Sequence, residues 1–427
     1  MTKAADSTAP GAERPALIAW CLYDWANSAF PAVIVTFVFA AYFAKAVAVD
    51  EITGTSQWAY AMSASALAVA LAGPILGAVA DRTGRRKPWV LACTVLCVTA
   101  TGLLWFARPE TEAVLWALMF AAIANFAFET SMVFYNAMLP ALSPRAMIGR
   151  WSGWGWGLGY VGGLVCLVVA LVVLVRPETP PFGLDADAAE PVRATTLLVA
   201  GWFALFSLPF FLFTPDAPAS GLTLGRAVRE GLATLIRTVR EIGRYRQIAL
   251  FLLAKMIYID GLNTLFSVGG IYAAVTFGMD FTDILVFGIA MNVTAGLGAF
   301  GFGWIDDRIG PKRTILISLA AMTVLGAALL VVESRTLFWV FALPLGLFFG
   351  PAQSASRSLM ARLAPPELRT EMFGLYALSG KATAFVGPAL FGWITAIAAS
   401  QRAGLATVLV FFLLGMAVLS FVRDVRA

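Results

Sequence analysis

The chain has 427 residues, 60% of them apolar and only 13% charged, where an ordinary soluble domain is about one quarter charged. Charge is confined to short islands between apolar runs, and each run is long enough for the roughly 20 residues that a helix needs to cross a bilayer. A soluble globular chain is thereby excluded, and the net charge of +5 with no histidine removes the commonest metal ligand and the side chain that titrates nearest neutrality.

In chain order the apolar runs predict spans at Leu17–Val47, Trp58–Ala80, Pro88–Ala107, Ala113–Leu139, Trp151–Val175 and Thr196–Thr214. After a polar gap come Ile248–Gly278, Thr282–Trp304, Arg313–Val332, Leu337–Ala361, Met372–Ala398 and Gly404–Val422. The first is expected to stay in the membrane, because Asp24, Asn27 and Pro31 interrupt it and no short apolar core with a small-residue cleavage site follows a basic start. Cys21, Cys93, Cys97 and Cys166 all fall inside spans without metal or redox spacing, so they read as small packing residues.

Assigning the charged islands alternately to two sides puts 21 Lys and Arg on the side with both termini and 6 on the other; Lys255, Arg357 and Lys381, inside spans, complete the 30. That asymmetry predicts cytoplasmic termini, in the inner membrane of a cell, and makes the basic surplus a matter of topology rather than of nucleic-acid binding. Residues 1–16 read as a cytoplasmic tail, 17–214 and 248–427 as two lobes of six helices, and 215–247 as the linker between them. From Leu224 to Arg240 the linker carries Val228, Leu232, Leu235 and Val239 at helical spacing among arginines, the pattern of a basic amphipathic helix on the inner face or of a solvated connector. The loop Arg176–Arg193 is rich in proline and acid and has no periodicity.

An internal repeat organises the chain. Gly77-x-x-x-Asp81-Arg82-x-Gly84-Arg85-Arg86-Lys87 follows the second span, and Gly303-x-x-x-Asp307-Arg308-x-Gly310-Pro311-Lys312-Arg313 follows the eighth. The first glycine lets two helices approach closely, and the aspartate one turn later is placed to pair with the basic cluster or to face a neighbouring helix N-terminus. Asp24-x-x-Asn27-Ser28 in the first span matches Asp260-x-x-Asn263-Thr264 in the seventh, and Gly153 and Gly159 match Gly374 and Gly380. Parallel repeats of this kind describe two lobes with a binding site between them near the midplane. Gly157-x-Gly159-x-x-Gly162 has the form of a dinucleotide fingerprint, but it lies inside an apolar span with no strand before it, so close helix packing is the expected cause.

The repeated loop string resembles the signature of the major facilitator superfamily, and its first copy matches in full. The resemblance implies an all-α polytopic membrane protein, twelve transmembrane helices in two pseudo-symmetric six-helix lobes. It also implies a gating latch formed by Gly77, Asp81, Arg82, Gly84, Arg85 and Arg86 with Gly303, Asp307, Arg308 and Gly310. A narrower resemblance lies in Tyr23-Asp24-Trp25-Ala26-Asn27-Ser28-Ala29-Phe30, Phe134-Tyr135-Asn136-Ala137-x-Leu139-Pro140, Gly159-Tyr160-x-Gly162-Gly163, Tyr258-x-Asp260-Gly261, Ser356-Arg357-Ser358 and Phe373-Gly374-Leu375-Tyr376. These strings are similar to the unknown-major-facilitator family, relatives of the autophagy-linked vacuolar amino-acid effluxers, which implies secondary transport and an amino-acid-like solute. The mid-span arginine in span four and the Gly-Pro in span five that proton-driven drug antiporters of the superfamily show are both missing here.

Six charged side chains lie inside spans away from the residues at their ends: Asp24, Glu129 and Asp260 against Lys255, Arg357 and Lys381. Each is costly facing lipid, so all six are expected in the interior. Two readings follow. In one, carboxylates bind a proton or the amine of a small solute while Lys381 or Arg357 binds its carboxylate; in the other, all six form static pairs between lobes. Proton coupling without histidine needs a buried carboxylate, for which Glu129 and Asp24 are the candidates. Asn125, Glu129 and Asn136 share a helix face that is suited to lining a cavity, and Gln353 and Arg357 lie one turn apart after Gly350-Pro351, which is expected to kink span ten. Trp58, Trp89, Trp105, Trp116, Trp202 and Trp339 read as interface anchors. The chain offers no nucleotide loop, metal set or nucleophile with a base, so neither an enzyme nor a cofactor is expected. A monomer in the bilayer, moving a small solute with protons as possible partners, is the leading expectation. A lipid or amphiphile flippase and a partner protein that has lost transport remain open beside it.

Overall fold

The computed structural model describes residues 14–177 and 179–424, apart from the side chains at 239, 242, 271, 281, 282 and 285. The N-terminal tail expected at 1–16 lies almost wholly outside them. Twelve helical spans are long and apolar enough to cross a membrane. The first six are Arg14–Val47, Glu51–Thr83, Lys87–Phe106, Thr111–Leu142, Arg145–Val175 and Glu190–Phe213. They are followed by Arg246–Phe277, Phe281–Ile309, Pro311–Val331, Arg335–Leu363, Pro366–Ala398 and Gln401–Ser420. An even number of spans brings both described chain ends to one face, called here the terminal face.

The ends of the helices follow local chemistry. Span two begins several residues before the apolar run because Asp50 caps it, accepting from the Ile52 and Thr53 amides. Span six likewise starts early, at Glu190 with Pro191 in its first turn, so the end of the loop expected to be irregular is helical. Arg193 there is buried over the Trp105 ring and donates to the Trp105 carbonyl at 2.7 Å. Pro31 opens a π-helical stretch, Phe30–Phe37, in span one. Two aromatic residues expected as interface anchors are packing residues instead: Trp58 is buried against Phe39 and Phe43, and Trp202 stacks on Trp25.

Span ten runs as one continuous helix through Pro351, rather than breaking there. The carbonyl that Pro351 releases is that of Leu347, and Gly298 of span eight packs directly onto it. The interruption lies in span eleven instead, where helix Arg369–Lys381 stops and helix Val386–Ala398 begins after a turn. The linker holds a helix at Leu224–Arg240. Its small residues Ala227, Gly231, Thr234 and Thr238 are buried, Gly231 against the backbone of Ala78 and Val79, while Leu224, Val228, Leu232 and Ile236 stay exposed.

Two glycine contacts join the halves. Gly73 and Gly77 of span two meet Gly374 and Thr370 of span eleven, and Gly303 of span eight meets Gly149, Arg150 and Gly153 of span five. At Gly77 and Gly153 an added Cβ would strike a backbone carbonyl of the other helix, so only glycine permits these crossings.

Candidate functional site

At the terminal face the two repeat copies build equivalent knots. Asp81 accepts from the backbone amides of Thr370 and Glu371 at 3.1 and 2.9 Å and from the Thr370 hydroxyl at 2.6 Å, so it caps the helix that opens span eleven. Arg86 closes the knot on Asp81 at 2.9 Å. In the second copy Asp307 accepts from the Arg150 amide at the start of span five and pairs with Arg150 at 3.5 Å and Arg362 at 3.5 Å. Each aspartate thus uses the positive end of a helix from the opposite half, which ties the two halves together. The lysines of the two copies cap helix C-terminal ends: Lys87 donates to the carbonyls of Phe211 and Thr214, and Lys312 to those of Ser420 and Val422.

Deeper in, Arg357 is 1% exposed and every face of it is used. Its Nη1 donates to Asp24 at 2.9 Å and to the Asn136 side chain at 3.2 Å, while Nε and Nη2 donate to the hydroxyl and carbonyl of Ser152. The guanidinium carbon lies 4.8 Å from the Trp20 ring. Gly155 makes room for the pair, since a Cβ there would lie 2.5 Å from Asp24 Oδ2. Spans one, four, five and ten meet at this point.

Glu129 and Lys381 form a different kind of contact, an ion pair at 2.7 Å whose side chains are 24% and 28% exposed. They join span four to span eleven, and so one half of the molecule to the other. Lys255 is buried nearby, with its ammonium over the Tyr376 ring at 3.9 Å and 3.0 Å from the Tyr376 carbonyl. It lies in electrostatic range of Lys381, Glu129 and Asp260. Toward the face remote from the knots two adjoining cavities of about 200 and 430 Å³ share Thr36, Phe37, Phe266, Gly288 and Asn292. Their walls are mostly apolar. Tyr160, on the edge of the first, hydrogen-bonds Gln353 at 3.1 Å, one turn from Arg357.

Comparison with known proteins agrees with this geometry. The profile of the "Vacuole effluxer Atg22 like" family matches residues 144–427, and that of the Major Facilitator Superfamily matches residues 12–166. The chain belongs to the major facilitator superfamily, in its Atg22-like family. The uncharacterized MFS-type transporter YxiO of Bacillus subtilis is 27% identical over 95% of this chain and 94% of its own length. Autophagy-related protein 22 of Coccidioides immitis is 22% identical over 81% of this chain and 68% of its own. Among solved structures, the major facilitator transporter FucP in the outward conformation superposes with a TM-score of 0.77, covering 96% and 99% of the two chains at 12% identity, a likeness of fold.

In this major facilitator transporter, a multi-pass membrane protein of the MFS type, the residues singled out from the sequence separate into groups. Asp24, Asn136 and Arg357 are brought together, as are Glu129 and Lys381. Asn125 bonds Ser65 at 2.9 Å and Asn27 approaches the Met132 sulfur, so both are engaged within their own half. Asn263 is half-buried and takes no part in these contacts. Arg82 reaches the linker, donating to Thr234 at 2.6 Å, while Arg85 and Arg308 are exposed and outside the knots. Gly84 and Gly310 carry φ of 83° and 89° at the ends of their helices. The transporter also uses residues that sequence reasoning passed over: Trp20, Ser152 and Tyr135 around Arg357, Thr370 at Asp81, Asp216 as the cap of span three, and Arg362 with Asp306. The Asp306-Asp307 doublet was visible, but the repeat drew attention only to its second member. The expected packing role of the span-five glycines fits their surroundings, since Gly159, Gly162 and Gly163 lie against the backbone or side chains of Asp24, Trp25 and Ser28.

Proposed function

We propose that this transporter moves a small zwitterionic, amino-acid-like solute by alternating access, with the Glu129–Lys381 bridge as its binding point. The observation that carries the reading is the contrast between the two inter-half ion pairs. Asp24–Arg357 is buried, with all three guanidinium nitrogens hydrogen-bonded, so separating it is costly; Glu129–Lys381 is a quarter exposed with one contact and is the more easily separated of the two. A solute ammonium on Glu129 and a solute carboxylate on Lys381 replace that single contact with two. Of the two carboxylates named as proton-coupling candidates, Asp24 is held by Arg357, which leaves that role to Glu129.

The lobes 17–214 and 248–427, joined by the linker 215–247, then rock about this point. The basic excess on the terminal face supports cytoplasmic termini in a cell membrane, so that the knots shut the cytoplasmic side while the cavities lie toward the outside. Gly77, Asp81, Arg86, Gly303 and Asp307 act as the gate in this account, and a single chain suffices. The apolar cavity walls favour a second reading, an amphiphile exporter, in which Phe266, Phe287, Phe338 and Phe349 line the path.

Thermal unfolding of the purified protein against amino acids, short peptides, sugars, nucleosides and phospholipids, at acidic and neutral pH, separates the two. A ligand at a hundred times its dissociation constant stabilises by about 2.7 kcal/mol, which is readily seen. Stabilisation by amino acids that disappears in Glu129→Gln and Lys381→Gln is the expected result. A response to lipids alone would replace the zwitterion with the amphiphile.

A further inference from the structure

Of the three acids singled out inside the spans, Asp24, Glu129 and Asp260, the last lacks an ion-pair partner. It is 2% exposed, and its Oδ1 accepts no hydrogen bond. Thr383 lies beside the carboxylate, yet its own hydroxyl is also buried and closes no hydrogen bond. Among the described residues no Lys or Arg comes within ion-pair distance of Asp260, whereas Asp24 and Glu129 each have one. Lys255 feels the charge of Asp260 but is turned to Tyr376.

Thr383 sits in the interruption of span eleven. The first half-helix ends at Lys381 and the second starts at Val386, linked by short turns from Ala384 to Lys381 and from Val386 to Thr383. Pro388 has no amide to return to the Ala384 carbonyl. The negative end of the first half-helix and carbonyls freed from the ladder therefore lie at the same turn as Thr383. Gly387 completes the approach, because any side chain there would run into Thr264 and the Asp260 backbone.

We infer that Asp260, Thr383 and the broken turn of span eleven form a binding site for a small alkali cation. The donors are all hard oxygens, which suit hard cations and not thiophilic metals. One carboxylate balances one positive charge, so the ion is monovalent. The charged groups around the site are Lys255, Lys381 and Glu129; Lys381 is bound by Glu129, and Lys255 is held on the Tyr376 ring beyond ion-pair distance, so neither base touches the Asp260 carboxylate. Lys381 and Thr383 stand two residues apart, so the ion and the solute bridge share one turn of chain. In that respect the inference rests on the carrier reading.

The test needs no solute, so its failure is separate from failure of the zwitterion reading. The full-length purified protein is melted in sodium, lithium, potassium and choline chloride at constant ionic strength, and binding of radioactive sodium is measured directly. Saturable stabilisation by sodium or lithium over choline is expected. Asp260→Asn and Thr383→Val should each weaken the apparent affinity by about tenfold or more. Thr383→Val keeps the charge, so it reports even where Asp260→Asn fails to fold. Identical melting in sodium and choline, or undiminished sodium binding by Thr383→Val, would overturn the assignment. So would stabilisation by an organic amine alone in sodium-free buffer that Asp260→Asn abolishes, since the site would then take the ammonium group of the solute.

Discussion

Arg357 and Lys381 are both basic residues inside spans, but their surroundings give them different consequences when changed. Truncating Arg357 to Leu strands Asp24 in a buried site, at a cost of about 3–5 kcal/mol; neutralising both partners with Asp24→Asn in the same chain should recover much of it. A double-mutant cycle measured by chemical unfolding in micelles checks this, and purely additive losses would mean that the two groups do not interact. Neutralising the half-buried Glu129, which has a single contact, should cost less than the loss of Arg357 in the same measurement. At this scale the six intramembrane charges were legible in the sequence because any such charge must face inward. Their pairing was not. Asp24 and Arg357 are 333 residues apart, and no local pattern tells which acid meets which base or that Ser152 and Trp20 will complete the shell around Arg357.

The two glycine crossings let the helices at the terminal face lie close enough for Asp81 and Asp307 to reach the amides opposite. Gly77→Ala places a Cβ against the Thr370 carbonyl and should shift the population toward an open terminal face. Spin-label distances between spans two and eleven at that face report it: a longer distance distribution in the variant is expected, and an unchanged one would count against the glycine as a gate element. A smaller effect is expected at span two. Hydrogen bonds from Thr53 and Ile52 hold the Asp50 carboxyl below the ordinary carboxylate range. The folded state thus favours the charged form, so the cap contributes above the unfolded pKa and fades as pH falls through the folded one. Amide exchange at Ile52 and Thr53, corrected for intrinsic rate, should lose protection as the solution is acidified, and in Asp50→Ala at every pH. The repeated glycines and aspartates were readable at this scale because their spacing recurs. The break in span eleven was not, since Gly350-Pro351 and Gly387-Pro388 look alike in sequence, yet the helix runs on through the first and is interrupted just before the second.

Across the whole molecule the twelve spans follow from hydropathy, which is decisive where every backbone group must be satisfied within its own segment. The relative position of the two halves does not follow, because it depends on contacts between residues far apart in sequence. Those contacts join the halves at the terminal face through two knots and, apart from them, through the half-buried Glu129–Lys381 bridge, where we propose that the solute binds. The most direct test of that proposal is flux of radiolabelled neutral amino acids through proteoliposomes containing the wild type, Glu129→Gln or Lys381→Gln, each first shown to melt like the wild type. Saturable flux by the wild type and none by either variant is the predicted result; wild-type rates in both variants would contradict it.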